Sequence, residues 1–306
     1  MMKKKIGVLM GGISSERDIS LMSAHEMIKH LDQAKFEAIP IEINKKDDVL
    51  LKCQEIDFAL IGLHGKFGED GCVQSILDAM EIPYSGCGPR PSVLAMDKDT
   101  SKKILRFEGI RTPDWVMVTD VEQIDHDKIN EMGYPVFVKP NSGGSSVATS
   151  LVRKQADLVA AVSEALKYDT EVMIEAYIQG LEISTPMING HIYPTMAIQP
   201  KGEFFDLKAK YEAGGSDEFV IELDSPLKEE IESMLHATWH ALKLEAYARI
   251  DFLITEQVPY LLEVNTLPGM TPTSLLPKSY TSLGAGHTFT DLLTHLIDVS
   301  LKHKRN

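Results

Sequence analysis

Residues 247–271, YARIDFLITEQVPYLLEVNTLPGMT, hold the most informative pattern in this chain. Apolar and polar residues alternate on either side of Gln257, which is typical of two antiparallel β-strands joined by a short turn. Arg249 and Asp251 share one face of the first strand, and Glu263 and Asn265 share the matching face of the second. We expect the opposite, apolar face to carry Ala248, Ile250, Phe252, Ile254, Tyr260, Leu262 and Val264.

The polar face of this hairpin predicts a divalent metal site. With the turn centred on Gln257, Asp251 lies opposite Glu263 and Arg249 lies opposite Asn265. Two opposed carboxylates repel each other unless a cation lies between them. Carboxylate and amide oxygens suit Mg²⁺ or Mn²⁺, and an adjacent arginine suits a transferring phosphoryl group. The alternative is a solvated sheet face with a cross-strand ion pair, but it does not explain why the pair is acidic.

A second motif places a lysine before a loop of small residues. Residues 136–140 read as a strand that carries Lys139, and the loop 141–147 that follows contains Gly143 and Gly144. Such loops let backbone N–H groups approach phosphate oxygens. The P-loop pattern and the dinucleotide fingerprint are both absent, and a Gly/Ser loop alone is more often a simple connection. Lys98, at the start of a predicted helix over 98–108, is a weaker phosphate candidate of the same kind.

The N-terminal part alternates strand and helix patterns. We predict strands over 6–10, 36–43 and 58–63 and helices over 15–31 and 73–80, which together indicate a parallel sheet. Glu16 and His64 each follow a strand, at the sheet edge where ligands bind. Glu16 is suited to an ammonium group but is also ordinary helix-start chemistry, and a lone histidine is more often structural.

Three segments follow from the breaks in these patterns: 1–95, ending where Pro83, Pro89 and Pro91 interrupt the alternation, 96–184, and 185–306. The second segment has predicted strands over 115–119, 136–139 and 172–177. The third opens near a hairpin marked by Asn189-Gly190 and ends with a helix over 288–302. The fold class is α/β, with α+β character in the second and third segments.

Composition limits the function classes. The 306 residues carry a net charge of −14, which argues against a general affinity for nucleic acid or anionic membranes. Three widely spaced cysteines predict reduced thiols, and no apolar stretch approaches the length of a membrane span. We therefore expect a cytoplasmic protein.

Taken together and in order, the motifs resemble those of D-alanine–D-alanine ligases of the ATP-grasp superfamily, and the resemblance covers nearly the whole chain. The sequences that carry it are HGKFGEDG (64–71), LAMDK (94–98), KPNSGGSSV (139–147), KAKYEAGGS (208–216), ARIDF (248–252) and LLEVNTLPGMTPTSLLP (261–277). The resemblance implies a three-domain ATP-grasp fold, in which an N-terminal parallel-sheet domain precedes two α+β domains that sandwich ATP.

The resemblance also implies roles for single residues. Asp251, Glu263 and Asn265 would hold two Mg²⁺ ions, or Mn²⁺, against the phosphates. Arg249 and the Gly269 N–H would stabilise an oxyanion. The remaining assignments are Lys98, Lys139, Ser146 and Lys210 to phosphates, Glu175 and Glu182 to adenine and ribose, Glu16 to the first D-alanine, Ser145 and Tyr211 to loop closure with Glu16, Ser274 and Leu275 to the second D-alanine, and His64 near the substrates.

The implied reaction joins two D-alanines with ATP through an acyl phosphate, for peptidoglycan precursor synthesis, in a homodimeric enzyme. A ligase that uses D-serine or D-lactate as the acceptor is the nearest alternative, and Tyr211 argues against D-lactate, since Phe is expected there in depsipeptide-forming relatives. A non-catalytic nucleotide-binding module would have lost part of the set Arg249, Asp251, Glu263 and Asn265, and a Rossmann-type oxidoreductase would carry the dinucleotide fingerprint. Ala176 stands where some family members carry Lys.

Overall fold

A parallel sheet forms the N-terminal layer of the computed structural model, which describes residues 3–144, 147–201 and 215–303. Its strands are β1 (Lys4–Gly11), β2 (Phe36–Ile43) and β3 (Phe58–Ile61), in the order β2-β1-β3. Residues 6–11 of β1 are all buried, as expected for a strand covered on both faces. The connecting helices are α1 (Arg17–His30), α2 (Asp48–Lys52) and α3 (Cys72–Ala79). The predicted parallel sheet is confirmed.

Two helices follow where a break was predicted. α4 (Pro89–Met96) begins at one of the prolines that seemed to interrupt the pattern. Proline is well tolerated in the first turn of a helix, where its missing N–H has no partner to lose, so Pro89 and Pro91 are compatible with α4. The alternation of strands and helices nevertheless ends here, because α3, α4 and α5 follow one another without a strand between them. α5 (Lys98–Phe107) starts directly afterwards, and the side chain of Asp97 caps it by accepting a hydrogen bond from the Thr100 N–H at 2.9 Å.

An antiparallel sheet forms the second layer. It consists of β4 (Trp115–Val118), β5 (Val136–Pro140), β6 (Ser150–Val152) and β7 (Val172–Ala176), in the order β4-β7-β5-β6. α6 (His126–Met132) and α7 (Leu158–Ala165) accompany it, with short 3₁₀ turns at Val121–Gln123 and Gln155–Asp157. The apolar residues of α7 and of β5 share one buried cluster, which gives this layer a core of its own.

The third sheet carries the hairpin. Its strands are β8 (Leu181–Ile188), β9 (His191–Ile192), β10 (Met196–Pro200), β11 (Ser216–Val220), β12 (Tyr247–Thr255) and β13 (Val258–Asn265). The order is β11-β10-β8-β12-β13, with β9 paired to β8. Asn189 and Gly190 have φ angles of 52° and 77°, as the predicted type I′ turn requires. β8 runs without a break across the division drawn at 184/185, so this division falls inside a strand.

Helices of the third segment bind it to the first. α8 (Ser225–Ala241) packs near the hairpin, and α9 (Leu275–Thr281) and α10 (Phe289–Lys302) end the described chain. Leu292, Leu293 and Leu296 of α10 are fully buried in the same cluster as Ile6 and Leu9 of β1. The two ends of the sequence thus share a core. None of the three cysteines, all within the described residues, forms a disulfide, and no described helix has the length and apolarity needed to cross a membrane.

Candidate active site

The hairpin of β12 and β13 has the register predicted at its polar end. Asp251 pairs with Glu263, and Arg249 pairs with Asn265. The turn is nevertheless centred between Glu256 and Gln257, whose φ angles of 48° and 65° define a two-residue turn. A β-bulge between Asp251 and Phe252 shifts the pairing by one residue and so brings the two carboxylates opposite each other.

The bulge changes which side chains of β13 face the core. Tyr260 and Leu262 were predicted to share the apolar face, and for both the prediction was wrong. Leu261 is fully buried in the core, whereas Leu262 lines a cavity on the other side and Tyr260 is only partly buried. The extra residue inverts the alternation between the turn and the site, while Val264, beyond the bulge, is buried as predicted.

Asp251 is held by donors from three strands. Its Oδ1 accepts hydrogen bonds from Ser184 Oγ at 2.6 Å and Arg249 Nε at 3.0 Å. Its Oδ2 accepts from Arg249 Nη2 at 2.8 Å and Asn265 Nδ2 at 3.0 Å. Asp251 is 3% exposed, so this carboxylate is shielded from solvent. Ser184 was missed by the sequence reasoning because only the β8–β12 register places it beside Asp251.

A cavity of about 310 Å³ opens beside this face, bounded by residues of the second and third sheets. Its volume lies within the range of small-molecule sites. Phe137, Leu253 and Leu262 supply apolar wall, and Gly143 and Gly144 of the small-residue loop border it. The predicted nucleotide-binding and metal residues that line it are Lys98, Lys139, Glu175, Glu182, Asp251 and Glu263.

Cations gather at one end of this cavity. Lys98 Nζ donates to the Gly143 carbonyl oxygen at 2.5 Å, and burial lowers its pKa against the opposing effect of Glu263. Lys139 Nζ donates to Glu175 Oε2 at 2.5 Å. The other oxygen of Glu175 accepts from Lys102, a residue that the sequence reasoning did not select. The glutamate predicted to meet the adenine end is thus held between two lysines.

These buried charges shift one another's titration. Burial lowers the pKa of Lys102 to about 8, although Glu175 opposes the shift. Burial acts to raise the pKa of Glu175, but the charges of Lys102 and Lys139 outweigh it and the pKa is lowered. Glu175 is therefore a carboxylate at neutral pH, and the triad carries one net positive charge when both lysines are protonated.

A second cavity, of about 500 Å³, lies on the N-terminal side of the same face. All six residues predicted to bind the amino-acid substrates line it, namely Glu16, His64, Arg249, Gly269, Ser274 and Leu275. Gly144, in the small-residue loop, and Glu263, on β13, border both cavities. The two cavities therefore meet at the polar face of the β12–β13 hairpin. The pattern of a single strand could not predict this meeting.

Glu16 and His64 are buried within this second cavity. Glu16 is 5% exposed, and its carboxylate lies against Gly144, whose ideal Cβ position is 2.8 Å from Oε1. His64 is 7% exposed, and its ring nitrogens contact Ser23 Oγ at 2.9 Å and Glu69 Oε1 at 3.2 Å. Both nitrogens thus have protein partners, which orient the ring and match the structural role more often found for a lone histidine.

The segment after β13 completes the wall. Ser274 Oγ lies under Gly269, 2.9 Å from that residue's ideal Cβ position, and it accepts a hydrogen bond from the Thr271 N–H at 3.1 Å. Leu275 is the first residue of α9 and is 6% exposed. Four predicted site residues, Ser145, Ser146, Lys210 and Tyr211, lie outside the described residues.

Known proteins match this chain along almost its full length. It is 56% identical to a D-alanine–D-alanine ligase of Clostridium perfringens over 98% of the chain and 99% of that protein. It is also 56% identical to a D-alanine–D-alanine ligase of Clostridium botulinum, over 98% of the chain and all of that protein.

Two solved structures share the fold. A D-alanine–D-alanine ligase of Bacillus anthracis complexed with ATP superimposes with a TM-score of 0.88 at 44% identity, covering 98% of each chain. The VanG D-Ala:D-Ser ligase of Enterococcus faecalis superimposes with a TM-score of 0.81 at 28% identity, covering 98% of this chain and all of that one. These neighbours confirm the α/β fold expected from the resemblance to ATP-grasp ligases.

Family models account for both parts of the chain. Residues 5–52 and 46–87 match the D-ala D-ala ligase N-terminus, and residues 104–298 match the D-ala D-ala ligase C-terminus. Because these matches and the similar ligases cover most of the sequence, the chain belongs to the D-alanine–D-alanine ligase family.

Proposed function

We propose that this chain is an ATP-dependent ligase that joins two D-alanines to D-alanyl-D-alanine, releasing ADP and phosphate, for peptidoglycan precursor synthesis. The observation that carries the proposal is the meeting of two cavities at Glu263 and Gly144. One cavity has a cationic end, and the other has a buried glutamate and an arginine. This is the arrangement needed to transfer a phosphoryl group from a nucleotide to a carboxylate next to it.

ATP suits the first cavity. Its apolar wall fits a nucleobase, and Lys98 and Lys139 lie where the phosphates would end, with Asp251 and Glu263 beside them. Glu182 borders the same space and is proposed for the ribose. Glu175 keeps a place in the proposal through its backbone, because both of its carboxylate oxygens are bound by lysines.

The donor set on the hairpin fits Mg²⁺ or Mn²⁺. Asp251, Glu263 and Asn265 present carboxylate and amide oxygens on adjacent positions of two paired strands. The Asn265 amide donates to Asp251 here, and turning the amide over would present its oxygen instead. We propose that these residues hold two such ions, which would neutralise phosphate charge and polarise the transferring group.

The chain's own residues then account for the two chemical steps. Glu16 would hold the ammonium of the first D-alanine, so that the carboxylate of this D-alanine faces the γ-phosphate across Glu263. A carboxylate is a poor acyl donor, and its conversion to an acyl phosphate supplies a leaving group for attack by the amine of the second D-alanine. Arg249 and the Gly269 N–H would stabilise the oxyanion that this attack creates. Ser274 and Leu275 would position the acceptor.

We also propose roles for four residues that lie outside the described part of the chain. We propose that Ser145 and Tyr211 act with Glu16 to close the loop, and that Ser146 and Lys210 contact phosphates. Excluding water protects an acyl phosphate from hydrolysis. We further propose a homodimer in the cytoplasm, which the mass of the protein in solution and fractionation of cells would test.

The decisive experiment mixes the protein with Mg-ATP and D-alanine and measures phosphate and D-alanyl-D-alanine in the same samples. We expect equal amounts of both, and little product with L-alanine. Phosphate without dipeptide would overturn the proposal. D-serine or D-lactate supplied together with D-alanine tests the choice of acceptor. If a mixed product forms faster than D-alanyl-D-alanine, the compound that gives it becomes the proposed acceptor.

A further inference from the structure

Lys102 is a buried cation that the reaction outlined above does not use. It lies one turn after Lys98 on α5, so both lysines project from the same side of the helix. Lys98 lines the nucleotide cavity, but Lys102 does not reach it and is only 2% exposed. Its ammonium lies 4.9 Å from the centre of the Trp115 ring. A buried ammonium is costly unless a negative partner compensates it.

Glu175 is that partner, and it is shared. Lys102 donates to one carboxylate oxygen, and Lys139 donates to the other at 2.5 Å. Glu175 lies on the central strand β7, where it pairs with Trp115 on one side and Phe137 on the other. Lys139 is 17% exposed and borders the cavity, so Glu175 connects one lysine inside the protein to one at the ligand.

The sharing matters once phosphates enter the cavity. Lys139 can then exchange its carboxylate partner for a phosphate oxygen, which is the interaction proposed for it. Glu175, 2% exposed, would be left as a buried and unpaired anion if Lys139 were its only partner. With Lys102 in place, the carboxylate keeps a cation throughout. We infer that Lys102 is a positioning residue that balances Glu175 so that Lys139 can move from this carboxylate to a nucleotide phosphate.

This inference rests on the proposed use of ATP, and it differs from a purely structural ion pair in one respect. If Lys102 only stabilises the fold, removing its charge lowers the melting temperature, and removing Glu175 as well has no specific effect on the nucleotide. If it acts through Lys139, removing Lys102 leaves Lys139 held by Glu175, and removing the carboxylate releases Lys139 again. A charge-compensating double variant therefore separates the two roles.

The test compares the wild-type protein with Lys102→Met, with Lys102→Met/Glu175→Gln, and with Lys103→Met as the matched control. Lys103 is the next residue on α5, its side chain is 68% exposed, and it pairs with Asp99. The dissociation constant of Mg-ATP is measured by calorimetry, and KM and kcat are measured by dipeptide formation. Direct binding is informative even if the catalysed reaction proves to be a different one.

We expect Lys102→Met to weaken Mg-ATP binding by about tenfold or more, the scale of one hydrogen bond to a charged group, with little change in the KM for D-alanine. The dissociation constant of Mg-ATP for the double variant should lie within about fivefold of the wild-type value, and the dissociation constant for Lys103→Met should equal the wild-type value. Normal binding by Lys102→Met, or a double variant no better than the single one, would overturn the inference. Should Lys102→Met fail to fold, Lys102→Gln, which also removes the charge but keeps a polar group, takes its place, and Mg-ATP binding equal to that of the wild type overturns the inference.

Discussion

Replacing Asp251 by asparagine tests how the polar face of the β12–β13 hairpin is held together. The two carboxylate oxygens accept five hydrogen bonds, three of them from Arg249, whose Nε is shared between both oxygens. Asp251→Asn keeps the size of the side chain but replaces one oxygen by an NH₂ group. The NH₂ group takes the place either of Oδ2, next to Arg249 Nη2 and Asn265, or of Oδ1, next to Arg249 Nε and Ser184. Asn265 and Ser184 can turn to accept a hydrogen bond, but the guanidinium cannot, because it has only donors.

The expected loss in stability follows from this count. In either orientation of the amide, one hydrogen bond from a guanidinium to a carboxylate disappears, which is worth about 1.5–3 kcal/mol in the free energy of unfolding. For a chain of this size, that loss corresponds to a fall of roughly 2–5 °C in melting temperature. A second effect appears with ligand, because saturating Mg-ATP at a hundred times its Kd adds about 2.7 kcal/mol to the wild-type protein. The variant should gain little of this.

Thermal unfolding followed by circular dichroism, with and without Mg-ATP, measures both effects. Ser184→Ala is the matched control, since it removes one hydrogen bond to the same carboxylate and leaves the charge. This control should lose a similar amount, about 1.5–3 kcal/mol, since its hydrogen bond also goes to a charged group, but it should keep its stabilisation by Mg-ATP. The reasoning is refuted if Asp251→Asn melts within about 1 °C of the wild-type protein, or if Mg-ATP stabilises it as strongly as the wild type.

Four further predictions concern other parts of the site. Gly144→Ala should lower kcat/KM for D-alanine by about tenfold or more in the dipeptide assay, because the new Cβ would lie 2.8 Å from Glu16 Oε1. Gly143→Ala, whose Cβ meets Pro140 at an ordinary 3.5 Å, is its control, and equal effects would contradict the reasoning. Glu218→Gln removes the negative charge that pairs with Lys278 at 2.8 Å and so weakens the hold on α9, which begins at Leu275; it should raise the KM for the acceptor D-alanine about threefold or more. Asp217→Asn removes an exposed charge and should leave this KM unchanged. In chemical denaturation, Leu261→Ala should lower the free energy of unfolding by about 2–4 kcal/mol, because Leu261 lies in the core, and Leu262→Ala by less than about 1 kcal/mol. Leu262→Ala should instead raise the KM for ATP. A larger loss of stability for Leu262→Ala than for Leu261→Ala would show that the bulge is misplaced. Lys102, beside Glu175, Lys139 and Arg106, is charged below its pKa of about 8 and loses its proton above it. The KM for ATP should therefore be constant below this pH and rise above it. A KM for ATP that falls between pH 7 and pH 9 would contradict this direction.

The sequence alone determined the features that depend on local pattern. Alternation placed Arg249, Asp251, Glu263 and Asn265 on one face of a hairpin, and the loop after Lys139 was recognisable from its small residues. Strand and helix periodicities predicted the parallel N-terminal sheet. These features follow from side chains at fixed spacing along one element, and this spacing is written directly in the chain.

Tertiary structure decided what depends on pairing between distant segments. A two-residue turn and a bulge together set the register at Asp251, and the bulge sent Leu262 to the cavity instead of the core. The register between β8 and β12 brought Ser184 to Asp251, and α5 brought Lys102 to Glu175 across 73 residues of sequence. Residues so far apart become neighbours only through the packing of sheets and helices, and a buried charge finds its partner only there. The sequence by itself therefore predicted which polar side chains share a face of the hairpin, and the packing decided which charges share a partner.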